Sequence, residues 1–430
     1  MTKRLALATL GLVTTAVTMA AGQGTGLEPL LAELRNPSAR ARQHAIERLG
    51  ELGRPDAAAP VAAMLADTHD GVQSAAINAL LSLYTVRADL RLRQWGPGSV
   101  GKSATPSEIA FEAGPLATMP APVPAEVVTG LSAVVRQDQT VKIRLEAAYA
   151  LGTLASPAMG PMPEATAQTV ATDLAAALLD PDRPTRQVVA RVAGRVFAPT
   201  PGRPVPPAIG DALVNSMNDG DPLVRRWAMD SLGWLRYDRA VQALTDRASY
   251  HGKNEEGSAA LHGLARIASP SSAPVFRALL ASSAPTFRVI SIEGLGRIGD
   301  RSAYPAIAES ALDARQVNVT VASHLAAYLL AQTTDLMPLV TALRNEETVI
   351  QARVYLAEIA ERQPMALYEL LRAQDSWVRR GTAELLGTSR RPGEEAMLQS
   401  LLKDPAPEVI EAASEAIRRL RAYGTVSARP

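Results

Sequence analysis

Apolar residues along this chain recur with the spacing of an amphipathic helix. In the stretch 221–235, DPLVRRWAMDSLGWL, the apolar positions from Val224 to Leu235 fall at i, i+4, i+8 and i+11. That spacing places them on one face of a helix. Asp221 is suited to cap the helix and Pro222 to occupy its first position. The stretch therefore predicts one helix with a single buried stripe.

The same pattern returns along nearly the whole sequence. Each copy has an arginine followed, seven residues later, by a Leu-Gly or Ala-Gly pair. These arginines are Arg42, Arg144, Arg186, Arg225, Arg288 and Arg379. In two variant copies Gln73 or Ile410 takes the place of the arginine. Shorter apolar segments, for example 57–66 and 240–249, alternate with these copies at a period of about 31 residues, which predicts pairs of helices.

The motif Asp-Pro-x-Val-Arg-x-x-Ala-x-x-x-Leu-Gly, clearest at 221–233, resembles the HEAT-repeat family of the short bacterial type. It is similar to the HEAT-like repeats of phycobilin lyases. The resemblance covers residues 27 to about 423, and it is poorest over 318–363. It implies an all-α, right-handed α-solenoid of about ten HEAT-like helical hairpins, in which the second helix of each pair lines the concave side.

The N-terminus has the pattern of an export signal. Lys3 and Arg4 precede an apolar run that ends in small residues near Ala21. We expect residues 1–22 to be a signal peptide, cleaved more readily than retained because the run is short for a membrane span. This assigns the protein to the periplasm or the secreted fraction of a bacterium.

Breaks in the repeat pattern divide the rest of the chain. We expect N-terminal HEAT-like repeats over 23–86, a Gly/Pro-rich insertion over 87–124 and the main array over 125–423. A tail over 424–430 follows. Two proline-rich interruptions, at 156–163 and 198–207, fall inside the array. Long insertions of this kind are often functional or disordered.

The composition excludes several kinds of site and argues against two kinds of partner. The 430 residues include no cysteine, which excludes disulfides, zinc–thiolate sites and thiol nucleophiles. With 44 basic and 43 acidic residues the net charge is +1, which argues against nucleic acid or an anionic membrane as the main partner. Hydrophobic residues make up 47% and aromatic residues 4%, a balance that favours close-packed helices.

No motif predicts catalysis or a cofactor. The segment 96–103 matches a phosphate-loop pattern with Lys102 and Ser103, but a basic segment precedes it where a buried strand is needed. The five histidines form no i, i+4 pair, so no metal site is predicted. We therefore expect no catalytic, cofactor-binding or metal-binding residue, and no enzymatic activity.

The repeated arginines allow two interpretations. They could line a groove for an acidic partner. They could instead form hydrogen bonds between repeats, because each follows a core position and lies near an Asp or Asn of a turn. A packing requirement recurs in every repeat, whereas a binding site rarely does, so we interpret them as a structural ladder.

Residues outside the repeat are better candidates for binding. The position after Leu-Gly is mostly polar, as in Glu51, Thr153, Arg195, Arg297 and Thr388, but it is Trp234 in the clearest copy. Trp227 lies seven residues earlier on the same face, near Arg226 and Asp230. We predict partner binding by these four residues, with Trp377 as a second candidate. The alternative is that both tryptophans pack beneath the 198–207 segment.

Together these features predict a non-catalytic HEAT-repeat scaffold that is exported to the bacterial envelope and binds a protein or an extended peptide. We expect no nucleic-acid partner, and no membrane contact apart from the signal segment if it is retained. The resemblance leaves two alternatives open: a HEAT-like lyase or chaperone acting on a cofactor-bearing protein, and a nucleic-acid-binding array. The sequence specifies neither the partner nor the oligomeric state.

Overall fold

The computed structural model describes residues 26–85, 104–114, 118–137, 140–200, 203–252, 254–312, 315–389 and 391–427. The predicted signal 1–22, the phosphate-loop-like segment 96–103 and the last three residues lie outside the described residues. Within those ranges the chain folds into α-helices and short 3-10 turns, with two isolated backbone bridges and no strand.

Twenty-two α-helices occur in the described part of the chain. They are α1 (Leu27–Glu33), α2 (Ala39–Leu52), α3 (Ala58–Ala63), α4 (Asp70–Tyr84), α5 (Pro106–Ala113), α6 (Ala125–Gln137), α7 (Val141–Leu154), α8 (Glu164–Ala177), α9 (Arg183–Val196), α10 (Pro207–Ser216), α11 (Pro222–Leu235), α12 (Val241–His251), α13 (Glu255–Ile267), α14 (Ala273–Leu279), α15 (Pro285–Ile298), α16 (Tyr304–Ser310), α17 (Val317–Leu329), α18 (Met337–Ala342), α19 (Val349–Arg362), α20 (Ser376–Leu386), α21 (Glu395–Gln399) and α22 (Pro407–Ser427).

Apart from α5, these helices form antiparallel pairs, eleven across the described ranges. The first member is short and often begins or ends in a 3-10 turn, and in one pair the 3-10 segment Pro364–Arg372 takes its place. The second members pack side by side in one continuous row, from α2 through α4, α7, α9, α11, α13, α15, α17, α19 and α20 to α22. The prediction of an all-α solenoid of about ten hairpins is confirmed.

Helix α11 shows how the repeat sequence specifies its structure. The Asp221 carboxylate accepts hydrogen bonds from the backbone N–H groups of Leu223 and Val224, both at 3.0 Å, and Pro222 begins the helix. The predicted stripe is buried, with Val224 and Leu232 fully inaccessible. Capping and burial thus act on the same fifteen-residue unit.

The glycine of the Leu-Gly pair is required by close helix packing. A Cβ on Gly233 would lie 3.0 Å from the Cα of Gly263 in the next second helix. A Cβ on Gly194 would lie 2.7 Å from the Ser231 hydroxyl. Such contacts are closer than carbon atoms tolerate, so a larger residue would push the two helices apart.

Two segments contain helix that the repeat pattern did not indicate. The insertion 87–124 contains an ordered helix, α5, which the apolar pattern of the repeats did not reveal. The tail predicted from residue 424 is helical as far as Ser427, because no proline interrupts α22 and a lone Gly424 does not end it. The segment 318–363, which fits the repeat motif poorly, still forms the regular helices α17 to α19.

Candidate binding surface on the inner row of helices

Side chains from distant repeats meet at one internal space. A cavity of about 230 Å³ is lined by Thr153 and Arg195 from the early repeats and by Glu361 and Thr388 from the late ones. Helix α22 also packs against the 3-10 turn Pro157–Met159 near its rim. The second helices therefore curve around this space. We call their facing side, which carries the residue after Leu-Gly and the residue one turn earlier, the inner surface.

The ladder arginines lie near the N-terminal ends of these helices, and their guanidinium groups reach the turns that precede the helices. Arg186 donates two hydrogen bonds to the Asp219 carboxylate of the next pair, at 2.8 and 3.1 Å. It also donates to the backbone carbonyls of Asp180 and Pro181 in its own turn, at 2.9 and 3.2 Å. Each such arginine thus fastens one turn to the next.

Three other ladder arginines repeat this geometry. Arg42 pairs with Asp67, Arg379 with Asp404 and Arg225 with Glu256, and each also donates to two carbonyls of its own turn. Arg144 donates to the Thr185 hydroxyl at 3.1 Å and lies 3.5 Å from the Asp180 carboxylate of the next pair. Arg288 donates to the carbonyls of Ser282 and Ser283 in its own turn.

Two of the ladder arginines lower the pKa values of the carboxylates that they bind. The hydrogen bond from Arg186 holds the pKa of Asp219 below its ordinary value. The hydrogen bond from Arg379 does the same to the pKa of Asp404. Because the charged form of each carboxylate is the one that accepts the bidentate bond, the pairs favour ionised carboxylates in the folded protein.

Trp234 lies on the inner surface with its ring open to solvent. Its side chain is 52% exposed, and the Arg266 guanidinium lies 4.5 Å from the ring centroid. Arg266 donates to the Asp230 carboxylate at 3.1 Å, which fixes the guanidinium in place. Asp230 thus belongs to the same arrangement as Trp234, and the two form a positioned aromatic surface.

Trp227 is half-buried and takes part in a different set of contacts. The Arg191 guanidinium lies 4.7 Å from its ring centroid, and that of exposed Arg226 lies 5.8 Å away. Arg191 also forms an ion pair with Glu112 of α5, with 2.6 Å between nitrogen and oxygen. Trp227 is therefore connected to the insertion 87–124 through Arg191, whereas the contact of Trp234 is with the following repeat.

Trp377 lies in another part of the array. It is in the first turn of α20, 42% exposed, beside a small apolar pocket of about 40 Å³. Val340, Leu343 and Leu370 line the same pocket. The structure brings Trp377 together with α18 and α19, and its surroundings are those of a surface residue that caps an apolar gap.

Sequence reasoning missed the docking of α5 on the inner surface. This helix packs against α4 and α7, and the Phe111 side chain is only 3% exposed. Its ring centroid lies 5.4 Å from that of Tyr149 and 3.7 Å from the Arg195 guanidinium, and Arg195 also donates to the Phe111 carbonyl. The pattern Thr105-x-x-Glu108 before apolar residues, a capping-box signal, could have revealed the helix.

A buried charge cluster was missed as well. Arg297 pairs with Glu293 of its own helix α15 and with Glu358 of α19, each at 3.0 Å. The Tyr355 hydroxyl donates to Glu293 at 2.5 Å. Burial opposes ionisation of Arg297, but the two carboxylates raise its pKa above the ordinary value. The cluster joins two repeats that are not neighbours in the chain, and its charges are mutually paired.

The N-terminal end of the inner surface is an open polar groove. It has a volume of about 740 Å³ and is lined by Glu47, Glu51 and Asp70, with Lys142 on the opposite side. Acidic side chains predominate there, in contrast to the arginines of α9 and α13. Within the described residues, no group of three or more His, Asp or Glu side chains could hold a metal ion.

In the described part of the chain, no helix has the length and apolar character that a membrane span requires. The family model described as HEAT repeats matches residues 27–95 and 171–256. No curated protein matches the chain.

Three solved structures are similar to this chain. Two are engineered proteins, each 18% identical; one alignment covers 92% of this chain and 98% of the other with a TM-score of 0.33, the second 64% and 98% with a TM-score of 0.36. The third is YibA of Escherichia coli, 16% identical over 71% of this chain and 92% of that one, with a TM-score of 0.38. At these TM-scores no argument rests on the likeness. The HEAT-repeat matches cover parts of an unbroken row of helical pairs, so the chain carries HEAT repeats within an α-solenoid.

Proposed function

We propose that this HEAT-repeat scaffold is non-catalytic and binds a protein partner, as an extended segment, on the inner surface at Trp234. The observation that carries the proposal is the exposed Trp234 ring stacked on Arg266. Tryptophan and arginine are the residues that most often dominate binding energy at protein interfaces. Because Asp230 fixes Arg266, little side-chain entropy is lost when a partner covers the pair.

The charges around Trp234 favour an acidic partner segment. Arg226 and Arg236 are exposed in or next to α11. Each would be partly neutralised by a carboxylate of a bound segment, which also steers its approach. The partner that fits is therefore an extended segment with acidic residues and at least one apolar or aromatic side chain for the Trp234 ring.

A binding role is supported over catalysis by the state of the inner charges. Arg297, Glu293 and Glu358 satisfy one another, and Arg266 is paired with Asp230. A catalytic acid or base needs access to a substrate proton, which such closed pairs do not offer.

The test places an aromatic photoreactive amino acid at position 234 in the native host, so that a ring remains where the Trp234 ring lies. Tyr250, which is 86% exposed on α12, a first-member helix, is the matched control position. We expect a discrete protein adduct from position 234, absent from position 250 and lost when Arg266→Ala is added. The same adducts from both positions, or none from position 234, would refute binding at this surface.

We further propose that the protein works in the bacterial envelope, since Lys3 and Arg4 precede an apolar run of signal-peptide type. Residues 1–30 fused to alkaline phosphatase, which is active only after export, should give active enzyme. Deletion of residues 5–15 from that fusion should abolish the activity. An inactive intact fusion would mean that the protein works elsewhere.

A further inference from the structure

Helix α5 occupies the inner surface over the third and fourth repeats in the manner of a bound peptide. The Phe111 ring lies over Gly152, whose missing side chain makes room for it: a Cβ there would be 2.7 Å from the ring. Tyr149 flanks the ring and Arg195 covers one face. One aromatic side chain thus fills a site that is built by α7 and α9.

The next residue, Glu112, is recognised by charge. Its carboxylate pairs with Arg191 at 2.6 Å, and both side chains keep about a quarter of their surface in contact with solvent. Arg191 lies 5.3 Å from the Phe111 ring centroid and 4.7 Å from that of Trp227. The aromatic residue and the carboxylate that follows it are therefore both bound by arginines of α9.

The polar contacts that hold α5 are of the kind found at protein interfaces. Cation–π pairs, one partly exposed ion pair and a hydrogen bond to a backbone carbonyl anchor a helix of only eight residues. A helix of that length has little stability of its own. Burial of Arg195 lowers its pKa to about 10, so this cation is partly desolvated while α5 is docked.

We propose that the site formed by Tyr149, Gly152, Arg191 and Arg195 binds protein segments in which an aromatic residue precedes an acidic one, and that α5 is the chain's own occupant. A partner segment of the same chemistry must displace it. The acidic, aromatic partner inferred for Trp234 would meet this site one repeat away, with Trp227 and Arg191 between the two. The proposal rests on the proposed function only for the existence of such a partner.

A labelled peptide of residues 104–114, ATPSEIAFEAG, tests the site without any partner. Its binding to the full-length protein is measured by fluorescence anisotropy. In the wild type the tethered α5 competes at an effective concentration of about 1 mM, so binding should be weak. In Phe111→Ala the site is released, and we expect binding at least about tenfold tighter. A peptide with alanine in place of the phenylalanine should not bind.

A charge exchange serves as the second variant, because Phe111→Ala removes a buried ring and could impair folding. In Glu112→Lys the residue beside Arg191 becomes repulsive, and the wild-type peptide should again bind tighter than to the wild-type protein. In Phe111→Ala combined with Arg191→Glu, where the tethered helix has neither its ring nor a complementary charge, the wild-type peptide should no longer bind and a peptide carrying lysine in place of the glutamate should bind instead.

Failure of the peptide to bind both Phe111→Ala and Glu112→Lys, with helix content unchanged in circular dichroism, would overturn the proposal and make α5 a fixed part of the fold. Crosslinking at position 234 is independent of this result. If the peptide does not bind but adducts still form at position 234, the α5 site alone is refuted. If the peptide binds but no adduct forms at position 234, the proposed function alone is refuted.

Discussion

The turns and the inner surface of this array use the same residue type for different purposes. In the turns, Arg186 and Arg379 hold an Asp of the next pair and carbonyls of their own turn with nearly the same geometry. On the inner surface, Arg195 covers Phe111, Arg266 supports Trp234 and Arg297 lies in a buried cluster. Arg297 follows a Leu-Gly pair, whereas Arg195 and Arg266 follow the pairs Ala193-Gly194 and Leu264-Ala265 that stand in its place, and each of the three arginines has a different partner.

The difference separates what builds the array from what distinguishes it. A contact between neighbouring repeats must be made in every repeat, so its residues recur. A surface that recognises one molecule has no reason to recur. Residues that depart from the repeat at inner positions are therefore where the specific behaviour of this protein is to be sought.

The largest effect on stability is expected from the buried inner cluster. Arg297→Ala leaves Glu293 and Glu358 without their common cation in a largely buried place. Removing one partner of a buried ion pair costs about 3–5 kcal/mol. Urea unfolding of the full chain should show this loss. Arg372→Ala, which removes a side chain that is 83% exposed, should change the midpoint little.

A smaller effect is expected from the ladder. Arg186→Ala removes a partly exposed bidentate pair and two carbonyl contacts between adjacent turns. Such a change typically costs about 1–2 kcal/mol. On the same helix, Arg183 is 67% exposed and 3.8 Å from Asp221, so Arg183→Ala should be nearly neutral. If both variants lost the same free energy of unfolding, the ladder arginines would be no more important for stability than other arginines of the same helix.

Acidification should weaken the arginine–aspartate pairs that connect the turns. The pKa values of Asp219 and Asp404 are lowered in the folded protein, chiefly by hydrogen bonds from Arg186 and Arg379. Their contribution is complete above the unfolded pKa, near about 4, and is lost as the pH falls through the lower folded value. Thermal melting between pH 6 and pH 3 should show this decline. Asp219→Asn should be less stable at pH 6 and lose less on acidification, and an unchanged pH slope would contradict the linkage.

Much of the scaffold could be predicted from the sequence because local rules govern it. The stripe that ends at Leu235, the Asp221 cap and the alternation of helices all follow from residues close together in the chain. The place of α5 could not be predicted in this way, since Phe111 meets Arg195 across 84 residues. Likewise, Arg297 and Glu358 are 61 residues apart. A contact that occurs only once in the array produces no repeating sequence pattern, so it cannot be predicted from periodicity.

The smallest effect on stability is expected at Trp234. Since half of its surface is exposed, Trp234→Ala should lower the free energy of unfolding by less than about 1 kcal/mol. The melting temperature is the readout. A loss as large as that of Arg297→Ala would show that Trp234 belongs to the core of the array and not to the proposed binding surface.

The central claim, that ladder residues hold the array and non-repeating inner residues bind, is tested most directly by one crosslinking comparison. A photoreactive amino acid at position 226, exposed and near both tryptophans, reports contact in the native host. The adduct should disappear in Trp234→Ala, although its melting temperature is nearly unchanged. In Arg186→Ala the melting temperature should fall. The adduct should still form at temperatures at which this variant is folded. Persistence in Trp234→Ala, or loss in folded Arg186→Ala, would contradict the account.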